Sequence, residues 1–335
     1  MSDAYTRAGV NIDLGDKAAQ LIGQQARSTL RPEVLSGVGF FGGLYEFKGY
    51  RQPVLVSSTD SVGTKLKIAI VLDKYDTVGV DIVNHCVNDI LACGAEPLFF
   101  LDYIGIGVVV PEKVAAIGKG LAEACREVGC VLIGGEIAEL PGIYSGDDYD
   151  LVGFVVGCVE KDAIIRGQTI ARGDAIVGLP SSGLHTNGFS LVRRVLGETR
   201  QELEAYQPEL SQTLGEALLE PHRGYFNELK DLRPAIKGLA HITGGGLTGN
   251  VPRILPAGLM ASLDGSSWTV PPIFELVRTR GKIARDEMYR VFNMGIGMVI
   301  VTAPENAARL VAAVPGAGLI GEVVAQTGEA RAVIR

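Results

Sequence analysis

The sequence predicts an α/β (α+β) protein of two domains, each with its own sheet. Three observations carry this reading. At 335 residues, the chain is roughly twice the ~150 residues that one domain needs. Short apolar runs of strand length alternate with amphipathic helical segments through both halves, the pattern of helices packed on sheets. A polar, turn-rich break from Glu160 to Gly173 separates the two series. Placing the boundary near residue 165 gives domains 1–165 and 166–335.

In the first half, the opening element is a helix from Asp16 to Leu30, with Ala18, Leu21, Ile22 and Ala26 on one face. A glycine-rich loop follows, Gly37-Val38-Gly39-Phe40-Phe41-Gly42-Gly43. Gln52 to Thr59 reads as a strand running into Asp60, and Lys65 to Leu72 is short and ambiguous. Asp81 to Cys93 is a helix whose Ile82, Cys86, Ile90 and Cys93 share a face, and Pro97 to Val110 is strand-like. Pro111 to Val128 is a helix, with proline in its first turn and Gly129 at its end. Val131 to Ile133 is a short buried strand that stops at Gly134-Gly135-Glu136, and Tyr149 to Val159 is a longer one.

The second half opens with a strand from Ala175 to Leu179, a loop at Ser181-Ser182-Gly183 and a helix from Ser190 to Leu196. Gln201 to Gln212 is polar and reads as a surface insertion. Tyr225 to Leu232, Gly249 to Ile254 and Pro304 to Val314 are helical, and Leu259 to Leu263, Met294 to Val301 and Gly318 to Val324 are strands. The half therefore carries a mixed sheet with flanking helices.

Composition excludes several classes. Hydrophobic residues at 47% and charged residues at 21% lie near globular values, so neither disorder nor a collagen-like repeat fits. A net charge of −7 weighs against nucleic acid or an anionic membrane as partner. No apolar run reaches membrane-spanning length, and no leader-like segment opens the chain, so a cytoplasmic protein is expected. The five cysteines contain no CxxC pair and read as reduced, buried thiols rather than a zinc site.

The chemistry sits where strands stop. Asp60 ends a strand and is followed by Ser61-Val62-Gly63-Thr64-Lys65. A carboxylate, a flexible turn, a hydroxyl and an ammonium within six residues can hold a metal–phosphate pair; the alternative is a plain turn with a solvated lysine. On the next helix, Asp81, His85, Asn88 and Asp89 fall within one arc without any Lys or Arg. That face suits a ligand or metal as well as solvent, and Asp89 is the residue chosen for Mg²⁺. Gly134-Gly135-Glu136 places a further carboxylate on a glycine turn, whereas Asp147, Asp148 and Asp150 read as solvated. Ser181-Ser182-Gly183-Leu184-His185-Thr186-Asn187-Gly188 leads into a helix and makes a phosphate cradle, with His185 as its titrating group or as a structural histidine. Thr243-Gly244-Gly245-Gly246 brings backbone close to a ligand or to another chain segment. Gly37, Gly39 and Gly42 fit GxGxxG without a preceding buried strand, and no GxxxxGK[ST] occurs; a bound nucleotide would sit in neither a Rossmann nor a P-loop site.

These segments together resemble the phosphoribosylformylglycinamidine cyclo-ligase (aminoimidazole ribonucleotide synthetase) family. The resemblance rests on Ser58 to Leu66, Val87 to Ile90, Gly94 to Tyr103, Gly134 to Tyr144, Ser181 to Arg193, His241 to Pro256 and Asp286 to Asn293, in order along nearly the whole chain. It implies two α/β domains, with the N-terminal sheets of two subunits pairing into a homodimer. It implies ATP and Mg²⁺ as cofactors and a small-molecule nucleotide substrate. The implied reaction is ATP-dependent closure of formylglycinamidine ribonucleotide to 5-aminoimidazole ribonucleotide. The amide oxygen is phosphorylated, an amidine nitrogen attacks that carbon and phosphate leaves. Asp60, Asp89 and Glu136 match the Mg²⁺-holding acids, and Gly63, Thr64, Lys65, Asn88, Gly134 and Gly135 the ATP-phosphate side. Ser181, Ser182, Gly183, Thr186 and Asn187, with Thr243 through Gly246, match substrate-side loops. Lys65, His185 and Asn187 are the catalytic candidates, His185 as an acid–base group on its chemistry alone. The loop Gly37 to Gly43 carries no acid and no cysteine, unlike the related selenophosphate synthetases and thiamine-monophosphate kinases. One copy of the two-domain unit also excludes the larger amidotransferase-coupled synthetase, and retention of the acids and Lys65 argues against a silent nucleotide sensor.

Overall fold

The computed structural model describes residues 4–37 and 39–335; Val38 of the expected glycine loop lies outside the described residues. The chain divides into two compact units. The first is Met1–Ile90 with Glu96–Glu160, and the second is Leu91–Ala95 with Lys161–Arg335. The division thus falls slightly ahead of residue 165, and a short piece after the second long helix belongs with the second unit.

The first unit contains α1 (Ala4–Arg7), α2 (Ile12–Arg27), β1 (Pro53–Ser61), α3 (Leu66–Leu72), α4 (Asp76–Ala92, whose last turn joins the second unit), β2 (Glu96–Ile106), α5 (Pro111–Glu127), β3 (Val131–Glu139) and β4 (Tyr149–Glu160). The sheet order is β1-β4-β2-β3. β2 and β3 run parallel and are joined by α5, while β4 is antiparallel to both its neighbours. α2 starts because Asn11 Oδ1 accepts from the Leu14 N–H at 3.1 Å. α5 starts at a proline that has no N–H to leave unpaired, with Glu112 in its first turn and Arg126 in its last. α4 and α5 cross at Gly79 and Gly120, where any Cβ would collide with the backbone of the facing helix. α4 lies on the sheet, since a side chain at Gly153 would strike Ile82 and Phe100. Phe100, Ile104, Leu151 and Val155 form the buried face. Phe99, Val152, Val156, Phe154 and Leu55 alternate with them and are half-buried or exposed.

The second unit contains β5 (Ala175–Pro180), α6 (Phe189–Leu196), α7 (Arg200–Glu204), β6 (Tyr206–Gln207), β7 (Gln212–Thr213), α8 (Leu214–Leu219), α9 (Phe226–Leu229), β8 (Gly238–His241), α10 (Gly246–Asn250), β9 (Leu259–Leu263), α11 (Pro272–Gly281), α12 (Arg285–Val291), β10 (Ile296–Thr302), α13 (Pro304–Ala313), β11 (Gly318–Ala325) and β12 (Ala332–Ile334). Its six-stranded sheet runs β12-β9-β11-β5-β10-β8, parallel only at β12–β9, so the expected mixed sheet is present.

Two expectations change. β3 does not stop at Ile133 but continues through Gly134-Gly135-Glu136 to Glu139, because β2 pairs with it along that length after a register shift at Phe100/Leu101. The Gln201–Gln212 stretch is more than a solvated insertion. A Thr199–Glu202 capping box starts α7, β6 and β7 form a hairpin, and Leu203 is fully buried. All five cysteines are free thiols, and four are buried. Among the described residues, no helix is long and apolar enough to cross a membrane.

Candidate active site

In the first unit, the acidic cluster lies where the last residues of β1 meet α4. Asp60 Oδ2 lies 3.0 Å from His85 Nε2, and its Oδ1 accepts from the Ser61 N–H at 2.7 Å. Burial acts to raise the Asp60 carboxyl, but the His85 hydrogen bond and the Ser61 N–H outweigh it and hold the group below the ordinary carboxylate value. Asp89 Oδ2 accepts from Ser58 Oγ at 2.9 Å, and the Asp89 charge is felt at Asp60. Gly63, in the left-handed region at φ +69°, and Thr64 are exposed beside this pair. From Asp81 to Ile90, Asp89 alone is partly exposed. The arc expected to be a solvated or ligand-facing surface is therefore buried: Asp81 and Asn88 are fully enclosed, as is nearly all of His85.

Lys65 departs from its expected place. Its Nζ sits 2.9 Å from Asp81 Oδ1, and both side chains are completely buried. The ammonium is thus engaged within the fold rather than presented to a phosphate. Its geometry suits a strut that fixes the Gly63–Thr64 turn against α4. Asn88, expected on the ATP side, is likewise fully buried in this conformation.

Glu136 does not join Asp60 and Asp89. Across the sheet Asp60 is in register with Gly153, Asp102 and Gly135, so Glu136 stands three strand spacings away, roughly 14 Å. It also points to the opposite face of the pleat. Among the described residues, no group of three potential ligands combines these acids. Asp60 and Asp89 do fit a magnesium ion carried on phosphates, being hard oxygen donors beside an exposed glycine turn.

Glu136 instead borders a cavity of about 480 Å³, together with Gly134, Gly135, the Gly39–Gly43 loop and one side of α2. Glu139 pins its rim, accepting from the Asn11 N–H at 2.6 Å and the Val109 N–H at 2.7 Å. Asp102 also lines this cavity. The residue is 5% exposed, and burial pushes its carboxyl up to about 7, opposed only by its own backbone N–H. Sequence reasoning passed over Asp102, although a lone acid inside an apolar strand was the available signal.

In the second unit, the two expected loops meet. Asn187 Oδ1 accepts from the Gly244 N–H at 3.0 Å and ties Ser181–Gly188 to Thr243–Gly246. Ser181 Oγ reaches the Gly183 carbonyl at 2.9 Å and Asn293 Oδ1 at 3.0 Å, while Asn293 Nδ2 donates to the same carbonyl at 2.9 Å. Ser182 Oγ donates to the Pro221 carbonyl at 2.5 Å. Asn250 Nδ2 holds the carbonyls of Thr243, Gly244 and Gly246. Gly246 is required: φ is +59°, and a Cβ would drive into the Tyr289 carbonyl.

His185 is 1% exposed, in the left-handed region at φ +59°, and its Nε2 accepts from the Ser182 N–H at 3.2 Å. The residue expected as the acid–base group is thus buried and holds the Ser182 N–H in this conformation. It stacks on His222 at 3.9 Å, and His222 Nε2 lies 3.0 Å from His241 Nε2. His222 carried no motif in the sequence and was missed. Thr186 Oγ1 lies 3.4 Å from His222 Nδ1, and Thr186 and Asn187 remain partly exposed.

Comparison with known proteins decides the family. The family model of the AIR synthase related protein, N-terminal domain, matches residues 46–159, and that of its C-terminal domain matches 171–334. A phosphoribosylformylglycinamidine cyclo-ligase of Geobacillus kaustophilus (strain HTA426) is 54% identical over 98% of this chain and 97% of its own. One from Anaeromyxobacter sp. (strain Fw109-5) is 52% identical over 98% of both. The chain belongs to the phosphoribosylformylglycinamidine cyclo-ligase family. Solved structures with the same fold include a thiamine-monophosphate kinase from Stenotrophomonas maltophilia K279a, with TM-score 0.67 and 17% identity over 94% of this chain and 95% of that one. The hydrogenase maturation protein HypE in complex with ATP superposes with TM-score 0.65 and 17% identity, over 94% of this chain and 90% of that one. At such identity these two establish the fold alone. The cyclo-ligase resemblance drawn from the loops is thereby borne out across the whole chain.

Proposed function

We infer that this protein closes formylglycinamidine ribonucleotide to 5-aminoimidazole ribonucleotide at the expense of ATP, the ring-forming ligase step of purine synthesis. The observation that carries this is the near full-length match, above half identity, to proteins named for that reaction. The chemistry accounts for the ATP. An amide oxygen leaves poorly, and phosphorylation turns it into a good leaving group. The amidine nitrogen then bonds to the formyl carbon, the carbon–oxygen bond breaks to release phosphate, and loss of a proton leaves the aromatic ring.

Catalysis here is largely positioning and charge stabilisation. Asp60 and Asp89 are the residues that would hold magnesium, which neutralises the nucleotide phosphates when bound. Gly63 and Thr64 offer backbone and hydroxyl donors beside them, and Lys65 holds that turn through Asp81. Gly134 and Gly135 would let a ligand approach β3 closely. In the second unit, Ser182, Thr186, Asn187 and the Gly244–Gly246 turn form the substrate-side cradle. His185 maintains its shape from within, and Ser181 and Gly183 lock it to Asn293.

The protein acts as a cytoplasmic homodimer in this reading. The uncovered sheet face of the first unit, with Leu55 64% and Phe154 40% exposed, is an apolar surface of the kind that pairs. Pairing about a two-fold axis along the strands would set β1 of one protomer over β3 of its partner. That arrangement would bring Glu136 to the Asp60–Asp89 edge, from which it is separated within one chain. The reading is tested by mixing protein, ATP, Mg²⁺ and formylglycinamidine ribonucleotide and following both products. Equal yields of ADP and 5-aminoimidazole ribonucleotide are expected. ADP formed only with another acceptor, or ATP bound without turnover, would overturn it.

A further inference from the structure

The first-unit cavity contains one feature that the cyclo-ligase chemistry has not used. Asp102 projects from the middle of β2 into a space of about 480 Å³, within the range of small-molecule pockets. Its Oδ1 is buried and has no hydrogen-bond partner among the described residues. A buried carboxyl of structural purpose is ordinarily satisfied by a cation or by several N–H donors. Among the described residues none is supplied: the one compensating contact acting on the group there is its own backbone N–H. The other acids on the cavity wall, Asp16, Glu136 and Glu139, could not neutralise it. The facing Gly135 gives the carboxyl room, because a Cβ there would overlap Oδ1. An unpaired buried polar atom and a cavity lined by the same residue together describe a ligand-reading position.

We propose that Asp102 is the ligand-reading group of this cavity, and that it takes an H₂N–C=N edge, the paired donor and acceptor of an aminopurine or an amidine. The inference rests on the cyclo-ligase reading and deepens it. A neutral carboxyl offers one O–H donor and one carbonyl acceptor, which match a ring nitrogen and its neighbouring amino group in two hydrogen bonds. The ionised carboxylate matches the amidinium form of the same edge. With its carboxyl raised to about 7, Asp102 can present either face near neutrality. Both co-substrates carry such an edge: the adenine of ATP and the amidine of formylglycinamidine ribonucleotide. The walls favour the planar base, since Ile22, Leu132 and Ile133 are apolar and Phe40 and Phe41 stand on the loop above.

The test is direct binding, by calorimetry, of ATP, of purine riboside triphosphate lacking the amino group, and of formylglycinamidine ribonucleotide. The proteins are wild type, Asp102→Ala and Asp102→Asn. Wild type is expected to hold ATP about 10-fold more tightly than the deamino analogue, the worth of one hydrogen bond to a buried partner. Asp102→Ala is expected to lose about 10-fold for ATP, to bind both triphosphates alike and to leave the ribonucleotide unchanged. Asp102→Asn, which keeps a donor and an acceptor, is expected to stay within about 3-fold of wild type. Loss confined to the ribonucleotide would also support the proposal and assign the edge to the amidine. If Asp102→Ala does not fold, the two triphosphates on wild type and Asp102→Asn still decide the matter. Equal affinity of wild type for both triphosphates, together with undiminished ribonucleotide binding by Asp102→Asn at pH 6 and pH 8, then overturns it. So does full affinity of a folded Asp102→Ala for every ligand. Wild type that binds neither ATP nor the ribonucleotide refutes the cyclo-ligase reading, and the inference with it.

Discussion

Replacing Asp102 by Asn should make this protein more stable at alkaline pH, and the size of the gain follows from burial. Removal from water lifts the Asp102 carboxyl from 3.8 to about 7. The folded state therefore holds a proton that the unfolded chain gives up more readily. For an acid raised on folding, its contribution to stability is complete below pH 4 and is lost as pH climbs through 7. A rise of about 3 pH units corresponds to about 4 kcal/mol at the alkaline plateau. Asn has nearly the same shape and never ionises, so it escapes that penalty. The stability difference between Asp102→Asn and wild type should widen in favour of the variant by about 3 kcal/mol from pH 5 to pH 8. Urea titrations followed by circular dichroism at the two pH values measure it. Curves for the two proteins that stay parallel within about 0.5 kcal/mol would refute the reasoning. They would show that the carboxyl is solvated or paired in the folded protein.

Three further outcomes follow from the same structure. Asp89→Asn keeps an oxygen to accept from Ser58 but removes a charge from the proposed metal edge. Its kcat/KM should fall about 100-fold with an unchanged melting temperature, measured across a magnesium titration. Lys65→Met removes the ammonium that pairs with the fully buried Asp81 and should cost about 3–5 kcal/mol in urea unfolding; Lys65→Met combined with Asp81→Leu should recover most of that loss. Light scattering at micromolar protein should report twice the chain mass, and Phe154→Asp on the uncovered sheet face should shift it toward the single-chain value.

Much of the architecture was legible because local chemistry announces it. Pro111 and Gly129 bracket α5 within a residue or two, and the nearly all-apolar run of β4 reads as a strand. β8, α11 and α12 were not anticipated. β8 has four residues, too few for a period to emerge, and α12 has seven. The site was readable as a set of loops, since glycines, hydroxyls and acids at strand ends mark ligand-facing turns. Its internal geometry was not. Nothing local to Lys65 reveals that Asp81, 16 residues on, will bury it. Likewise, the separation of Glu136 from Asp60 follows from the strand order β1-β4-β2-β3, a product of long-range pairing. His185 looked exposed because its neighbours are small and polar, yet stacking on His222 encloses it.

The central claim is that ATP activates the amide oxygen for ring closure, and isotope transfer tests it most directly. Formylglycinamidine ribonucleotide labelled with ¹⁸O in its formyl oxygen is turned over with unlabelled ATP, and the released inorganic phosphate is examined by mass spectrometry. The account predicts one ¹⁸O atom in each phosphate formed, in step with 5-aminoimidazole ribonucleotide. Label recovered in water, with unlabelled phosphate, would contradict it.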